Sequence, residues 1–384
     1  MLELGIDEIT LVLKLTPDIQ DEITPYEWAS VAESIIDVFA EKADFLKIFG
    51  SKHYADKAPN GYTVAYAYGD HNFYFAVAYH ELQLRMGIII KFSAKALDYY
   101  LEVSCLHVYE IIQKVRSEYY TGRLSRIDLT ADYIDEGIDV TAIYQGFIDK
   151  KVGVFRKHPN TKNGNITYRR IDMKYQGFIK GDEIPTIYLG SAKSPSQLRI
   201  YDKKREQIEL KGNKLDKAIN CFDWVRFEGV FKDIFAHQLS EEIQNIDSVD
   251  EFENLIASTL IQKFSLMYIE NGVVVCNTEY TQMLLDCISN NSFILRAPSS
   301  RNFELTKSLD YLLSGSGLIS TLYKIQAIWG KDAVNDLLSF VAESVEKHKP
   351  NEDARYWLKK NLEGYKRNYP DFNSFMNDNL GAIL

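Results

Sequence analysis

Three short segments of this chain carry charged or hydroxyl-bearing side chains at alternating positions. They are Arg126-Ile127-Asp128-Leu129-Thr130-Ala131-Asp132, Arg199-Ile200-Tyr201-Asp202-Lys203-Lys204 and Trp224-Val225-Arg226-Phe227-Glu228. A two-residue period marks a half-buried strand, because successive side chains leave a strand on opposite faces. In the first segment Ile127, Leu129 and Ala131 share one face, and Asp128, Thr130 and Asp132 share the other. In the second, Ile200 belongs with the apolar side, while Arg199, Tyr201 and Lys203 stand together. In the third, Val225 and Phe227 oppose Trp224, Arg226 and Glu228. If the three strands lie in one sheet, its polar face collects three carboxylates (Asp128, Asp132, Glu228), three cations (Arg199, Lys203, Arg226) and the phenol of Tyr201.

That set suits a metal ion, a phosphodiester and a phenol nucleophile. A phenol titrates near 10, so Tyr201 attacks a phosphodiester only if its oxygen is activated. Arg199 and Lys203, two residues to either side, can stabilise a phenolate or a pentacovalent phosphorus. Arg226 can clamp a phosphate. A divalent cation on Asp128, Asp132 and Glu228 would polarise the scissile phosphate, and oxygen-only ligands favour Mg²⁺ or Mn²⁺ over zinc. Taken singly, each residue has a plainer reading. The chain holds 25 tyrosines, so a strand tyrosine is ordinarily a packing residue, and an Asp and an Arg on adjacent strands are ordinarily a cross-strand pair. Only their joint placement points to chemistry. The seven histidines show no His-x-His or His-Glu-x-x-His spacing, and neither a Gly-x-x-x-x-Gly-Lys loop nor a Gly-x-Ser-x-Gly elbow occurs.

The elements that must hold these residues read as an α+β arrangement. Asp7–Leu15 alternates as a strand, and Tyr26–Lys42 has helical spacing behind Thr24 and Pro25. Gly61–Tyr68 and Phe73–Tyr79 form a hairpin around Gly69-Asp70-His71-Asn72, followed by a strand over Leu84–Phe92 and a helix over Leu106–Tyr119. The order then recurs: strand Leu124–Tyr133, helix Val140–Lys150, then strands at Ile166–Tyr175, Thr186–Leu189, Gln197–Lys203 and Phe222–Phe231. This predicts a duplicated strand-helix-strands unit with a mainly antiparallel sheet, its halves at 1–120 and 121–240. From Asp233 the spacing turns helical, which predicts a helical domain over 241–384. Within it Leu318–Trp329 and Ala333–Val345 fit either a helix-turn-helix or a plain helical hairpin. Lys347–Asp353 reads as a surface connection to a last helix near Ala354–Tyr369.

Composition is ordinary for a soluble globular protein of two or three domains. The first residues lack the basic start and apolar stretch of a signal peptide, and no window is apolar enough for a membrane span. Cys105, Cys221, Cys276 and Cys287 lack paired spacing, which fits free thiols in a reducing cytoplasm. A net charge of −10 is unusual for a nucleic-acid binder, but it is unevenly spread. Residues 149–217 hold 17 Lys or Arg against 8 Asp or Glu, so the remainder of the chain carries −19. A basic middle between acidic flanks is what a local phosphate-binding surface looks like.

Four blocks in a fixed order carry a resemblance: Arg126–Asp132, Thr186-Ile187-Tyr188-Leu189-Gly190-Ser191, Leu198–Lys203 with Glu206, and Trp224–Glu228. Over roughly Asp7 to Phe235 the chain resembles the replication initiation factor family of rolling-circle plasmids, filamentous phages and integrative conjugative elements, whose members are single-tyrosine DNA nicking enzymes. The resemblance implies Tyr201 as nucleophile and a metal site at Asp128 and Glu228, with Asp132 beside them. Tyr188 is the alternative nucleophile if the hairpin register differs. The implied reaction is a transesterification at an origin, in single-stranded or extruded DNA, that leaves a 5′-phosphotyrosine and a free 3′-hydroxyl. Implied partners are that DNA, a host helicase and a second copy of the chain, with the C-terminal helices serving origin recognition or dimerisation. A regulator that binds DNA on the same fold without cutting it is the competing expectation.

Overall fold

The computed structural model describes residues 1–16, 19–20, 23–113, 117–159, 166–288, 305–348 and 352–380. The chain divides into two compact units, Met1–Leu295 and Arg296–Leu384.

The first unit is built on a ten-stranded sheet whose recorded pairings are all antiparallel. In chain order its strands are β1 (Leu2–Leu15), β2 (Lys52–Tyr54), β3 (Val64–Tyr68), β4 (Phe75–Tyr79), β5 (Ile88–Phe92) and β6 (Tyr120–Ile134), then β9 (Tyr175–Lys180), β10 (Glu183–Leu189), β11 (Ser196–Asp202) and β12 (Trp224–Lys232). Their spatial order is β2-β3-β4-β5-β1-β6-β12-β11-β10-β9. A second, four-stranded sheet runs β14-β13-β7-β8, from β7 (Val152–Pro159), β8 (Ile166–Ile171), β13 (Ser265–Glu270) and β14 (Val273–Asn277).

The alternation in the sequence translates directly into two faces. Ile9, Leu11 and Leu13 of β1, Ile127, Leu129 and Ala131 of β6, Ile187, Ile200 and Phe227 are all buried on the core face. Helices Ala94–Ser104 and Val249–Phe264 pack over β1, and Val140–Ile148 packs over β10 and β11. Their contributions include Leu97, Tyr100, Ile143, Phe147, Ile256 and Leu260. Burying an apolar side chain of this kind contributes about 1.5–3 kcal/mol, so the core face fixes the register and thereby which residues face the other way.

Several expectations are corrected. Of the helix expected over Leu106–Tyr119, Val108–Gln113 is helical, residues 114–116 lie outside the described residues, and β6 already begins at Tyr120. Leu84–Met86 is a short 3₁₀ turn ahead of β5 rather than part of it. Ile166–Tyr175 divides between β8 and β9, which belong to different sheets. β7, β13 and β14 were not expected as strands. The helices after Asp233 do not open a separate domain. Leu239, Ile243, Leu255, Ile256 and Leu260 are buried in the core of the first unit, and the compact units meet at 295/296.

In the second unit, helices Leu318–Trp329 and Lys331–Lys347 join at Gly330, whose φ of +88° favours glycine. Helices Glu352–Asn368 and Phe372–Leu380 follow, with Tyr365 and Tyr369 against Phe375. The surface connection expected over Lys347–Asp353 lies partly outside the described residues. Among the described residues no helix is long and apolar enough to cross a membrane.

Candidate active site on the polar face of the sheet

The cross-strand register sets the polar side chains in rows. One row runs Asp132 on β6, Arg226 on β12, Tyr201 on β11, Thr186 on β10 and Phe178 on β9. The next runs Thr130, Glu228, Arg199, Tyr188 and Gln176. Asp128 opens a third row opposite Val230. Residues directly opposite in antiparallel strands have Cβ atoms about 5 Å apart, so each row is a chain of contacts. At β1 the pairing jumps from Ile6↔Leu129 to Ile9↔Ile127, so Asp7 and Glu8 together face the single residue Asp128. This bulge delivers both carboxylates to the charged network.

The interior of the network is closed by arginines. Arg226, 3 % exposed, donates from Nε to Asp132 Oδ1 at 2.6 Å and from Nη2 to Asp132 Oδ2 at 2.7 Å, and its Nη1 pairs with Asp7. Arg126 grips Asp128 in the same fork, at 2.8 and 2.6 Å, and reaches Glu8 at 3.0 Å. Burial opposes the charge on Asp132, but its hydrogen bonds to Arg226 outweigh that and hold its carboxyl below the usual carboxylate range.

Glu228 is the exception. It is 1 % exposed, its Oε2 accepts the Tyr201 hydroxyl at 2.9 Å, and Arg199 Nη1 lies 3.0 Å from Oε1. That arginine is off-axis for a hydrogen bond, so Oε1 is buried without an aligned donor. Burial, and after it the nearby charge of Asp7, pushes the Glu228 carboxyl up to about 7. The Tyr201 phenol, 9 % exposed, is driven well above its ordinary value by burial and by Glu228.

Toward the β9 edge the face opens into a cleft of about 350 Å³ lined by Asp7, Phe178, Thr186, Tyr188, Arg199, Tyr201 and Glu228, among others. Tyr188 is 37 % exposed there, directly across from Arg199, and Phe178 is exposed one strand further out. Both tyrosines therefore share the polar face, one at depth and one at the mouth.

Of the residues expected from the sequence, Asp128, Asp132, Arg199, Tyr201, Arg226 and Glu228 do converge. Lys203 is placed differently. The Asp202 side chain accepts the Arg205 backbone N–H and caps the helix Lys203–Glu209, which ends the strand alternation. Lys203 nonetheless stays close, pairing with Glu206 at 2.5 Å and lying 5.5 Å from the centre of the Tyr201 ring. Trp224 shares the face but is roofed by Ala218 and Cys221. Asp7, Glu8 and Arg126 were missed as site residues. The available signal was the broken alternation Ile6-Asp7-Glu8-Ile9, which a bulge explains.

Oxygen donors suit a hard divalent cation. Glu228 keeps an oxygen without an aligned donor, and the neighbouring charges of Asp7 and Asp128 raise its carboxyl. Arg226 occupies both oxygens of Asp132 and Arg126 both oxygens of Asp128, so Glu228 and Asp7 are the carboxylates of the cluster not held in an arginine fork. Among the described residues no three carboxylate, histidine or cysteine groups are already gathered around one point.

Fold and site together define a class: an antiparallel α+β protein with a carboxylate–arginine–tyrosine centre on an open sheet face. Residues 122–338 match the family model described as Replication initiation factor, and the chain belongs to that family. The rolling circle replication initiator protein from Geobacillus stearothermophilus is a similar solved structure, at TM-score 0.50 and 15 % identity, covering 75 % of this chain and 97 % of that one. At that identity the likeness concerns the fold. No curated protein matches the chain.

Proposed function

We propose that this protein initiates rolling-circle replication or transfer of a mobile DNA element by nicking one strand at an origin, with Tyr188 as nucleophile. The observation that carries the assignment is the contrast between the two tyrosines. Tyr188 stands at the mouth of the cleft beside Arg199, where a strand can reach it. Tyr201 is buried with its hydroxyl committed to Glu228, and a phenol held against a carboxylate is hard to ionise. Tyr201 then acts as a positioning residue for Glu228.

In the proposed step the Tyr188 oxygen bonds to phosphorus and the bond from phosphorus to the 3′ oxygen breaks. The phenol proton passes to solvent and the departing 3′ oxygen takes one up. The products are a 5′-phosphotyrosine and a 3′-hydroxyl, and the reverse step rejoins the strand. Arg199 stabilises charge developing on the phosphate. Arg226 is too buried to clamp a phosphate and instead fixes Asp132 and Asp7. Glu228 and Asp7, with Asp128 once its fork to Arg126 opens, would hold Mg²⁺ or Mn²⁺, which when bound neutralises charge gathering on the phosphate. Phe178 offers a ring on which a base of a single strand stacks.

In this reading the strand order, mirrored about β1 and β6, supports a duplicated unit, and the Arg296–Leu384 unit serves origin recognition or dimerisation. A host helicase extends the nick, and the work takes place in the cytoplasm.

The test mixes supercoiled origin plasmid, Mg²⁺ or Mn²⁺ and protein, then quenches in SDS. Nicked circle carrying protein is expected for wild type and Tyr201→Phe but not for Tyr188→Phe. An adduct lost only in Tyr201→Phe would return the role to Tyr201. Salt-sensitive binding with no nick in any variant would identify a non-cleaving regulator.

A further inference from the structure

On the same sheet face as the carboxylates, further along β1 and β6, lies a second cleft of about 380 Å³. Lys14 of β1, Arg123 of β6 and His237 of the helix Asp233–Ile243 all line it. The register Thr10↔Arg126, Val12↔Arg123, Lys14↔Thr121 keeps this row on the polar face, the face of Arg126 and Asp128. Beyond Lys232 the strand β12 has ended and that helix takes its place beside β6, where Ser240 Oγ accepts the Leu124 N–H at 3.1 Å. The helix therefore forms one wall of the cleft.

Lys14 and Arg123 repel each other in this cleft unless an anion joins them, and His237, lowered by the same surroundings, adds a ring N–H donor rather than a charge. Among the described residues no carboxylate forms an ion pair with Lys14, Arg123 or His237. Glu241 lines the cleft without pairing to them, and Asp233 lies one turn before His237. The strain registers on the groups themselves: burial and then Arg123 hold Lys14 below its ordinary value, and the same two causes lower His237.

We propose that the Lys14–Arg123–His237 cleft binds a backbone phosphate of the single strand being processed, a few nucleotides from the scissile bond. This rests on the DNA-cutting reading above. Arg123 and Asp128 are five residues apart on one strand, roughly 16 Å at a strand's rise. A short run of extended single strand bridges that span. The strand would run from the cleft along β6 and then across β12 and β11, to be held at its other end by Tyr188, Arg199 and Phe178. Its anchoring fixes the register of the phosphate presented to Tyr188.

The test uses the full-length protein with an oligothymidylate of roughly 20 nucleotides, long enough to reach from the cleft to Tyr188, and a control variant, Lys47→Gln/Lys57→Gln, at exposed lysines outside the cleft. The double variant Lys14→Gln/Arg123→Gln removes two charges at partly exposed positions and leaves the active site alone. Its affinity for the oligonucleotide should fall about tenfold or more, and the salt slope should shrink by roughly 0.7, the share of one single-strand phosphate contact. The control variant should bind as wild type does. Equal affinities for wild type and the cleft variant, or equal losses in the cleft and control variants, would overturn the proposal. So would stabilisation of wild type alone by inorganic phosphate combined with unchanged oligonucleotide affinity, which would mark a free-anion site. The two readings fail separately. Wild type that forms the tyrosine adduct on origin DNA while the variant binds normally sinks only the cleft; wild type that neither binds nor nicks sinks both.

Discussion

Arg226 sends both ends of its guanidinium fork to Asp132 and a further nitrogen to Asp7, in a setting 3 % exposed. Desolvating three charges is costly, and the cost is met only while the geometry is complete. Arg226→Met should therefore lose about 3–5 kcal/mol of stability, because it strands two carboxylates out of water. Urea unfolding would measure it, and adding Asp132→Leu should recover much of the loss. Arg226→Lys should not substitute, since an ammonium cannot make the paired bonds. Tyr201→Phe should be milder, about 1–2 kcal/mol, for one donor removed from Glu228. A thermal melt of that variant, set beside its retained adduct, separates a positioning role from nucleophilic attack. The convergence of Asp128, Arg199, Tyr201, Arg226 and Glu228 was legible in the alternation. Which carboxylates are already taken was not, because that depends on which arginine each one faces.

Among the elements, β12 shows why the sheet tolerates a tightly packed helix. Gly229 is on the core face, where a β-carbon would come within 2.6 Å of a Leu260 methyl and 2.8 Å of the Phe231 ring. Gly229→Val should overpack that contact with the helix Val249–Phe264, costing about 1–3 kcal/mol in chemical unfolding. The same helix carries Lys263, buried with its Nζ 3.7 Å from the centre of the Phe235 ring. Burial, aided by Arg156, lowers the Lys263 ammonium to about 8. Its folded value is below the ordinary lysine value near 10.4, so between those values the unfolded chain binds more protons. Stability should accordingly rise as pH climbs from about 8 toward 10.4. Lys263→Met should abolish that rise and stabilise the protein by roughly 1–3 kcal/mol at pH 7. Calorimetry across that range tests both, and a flat wild-type profile would refute the assignment. The second sheet escaped the sequence reading because β13 and β14 follow a long helix and gain their partner β7 only through tertiary pairing.

For the whole molecule, net charge and local charge pull in opposite directions. The chain carries −10 overall, and several cations of the basic middle are already spent on partners, among them Lys180 on Glu209, Arg205 on Glu183 and Lys214 on Asp98. Binding should then come from few phosphate contacts rather than a broad basic surface. Four contacts imply a loss of roughly fiftyfold in single-strand affinity between 50 and 200 mM salt. Fluorescence anisotropy across that range checks it; a salt-independent affinity would contradict a phosphate-led interface.

The sequence by itself determined the two faces of the central strands, the family, and the set of side chains that share the polar face. These follow from strand periodicity, a local property that every second residue repeats. Only the tertiary structure decided that Asp7 joins from the distant β1, that Asp132 is committed to Arg226, and that Lys203 begins a helix. It also decided that Tyr201 is buried while Tyr188 stands at the mouth of the cleft. Depth from the surface is set by which strands and helices stack around a residue, and both tyrosines have the same local signature.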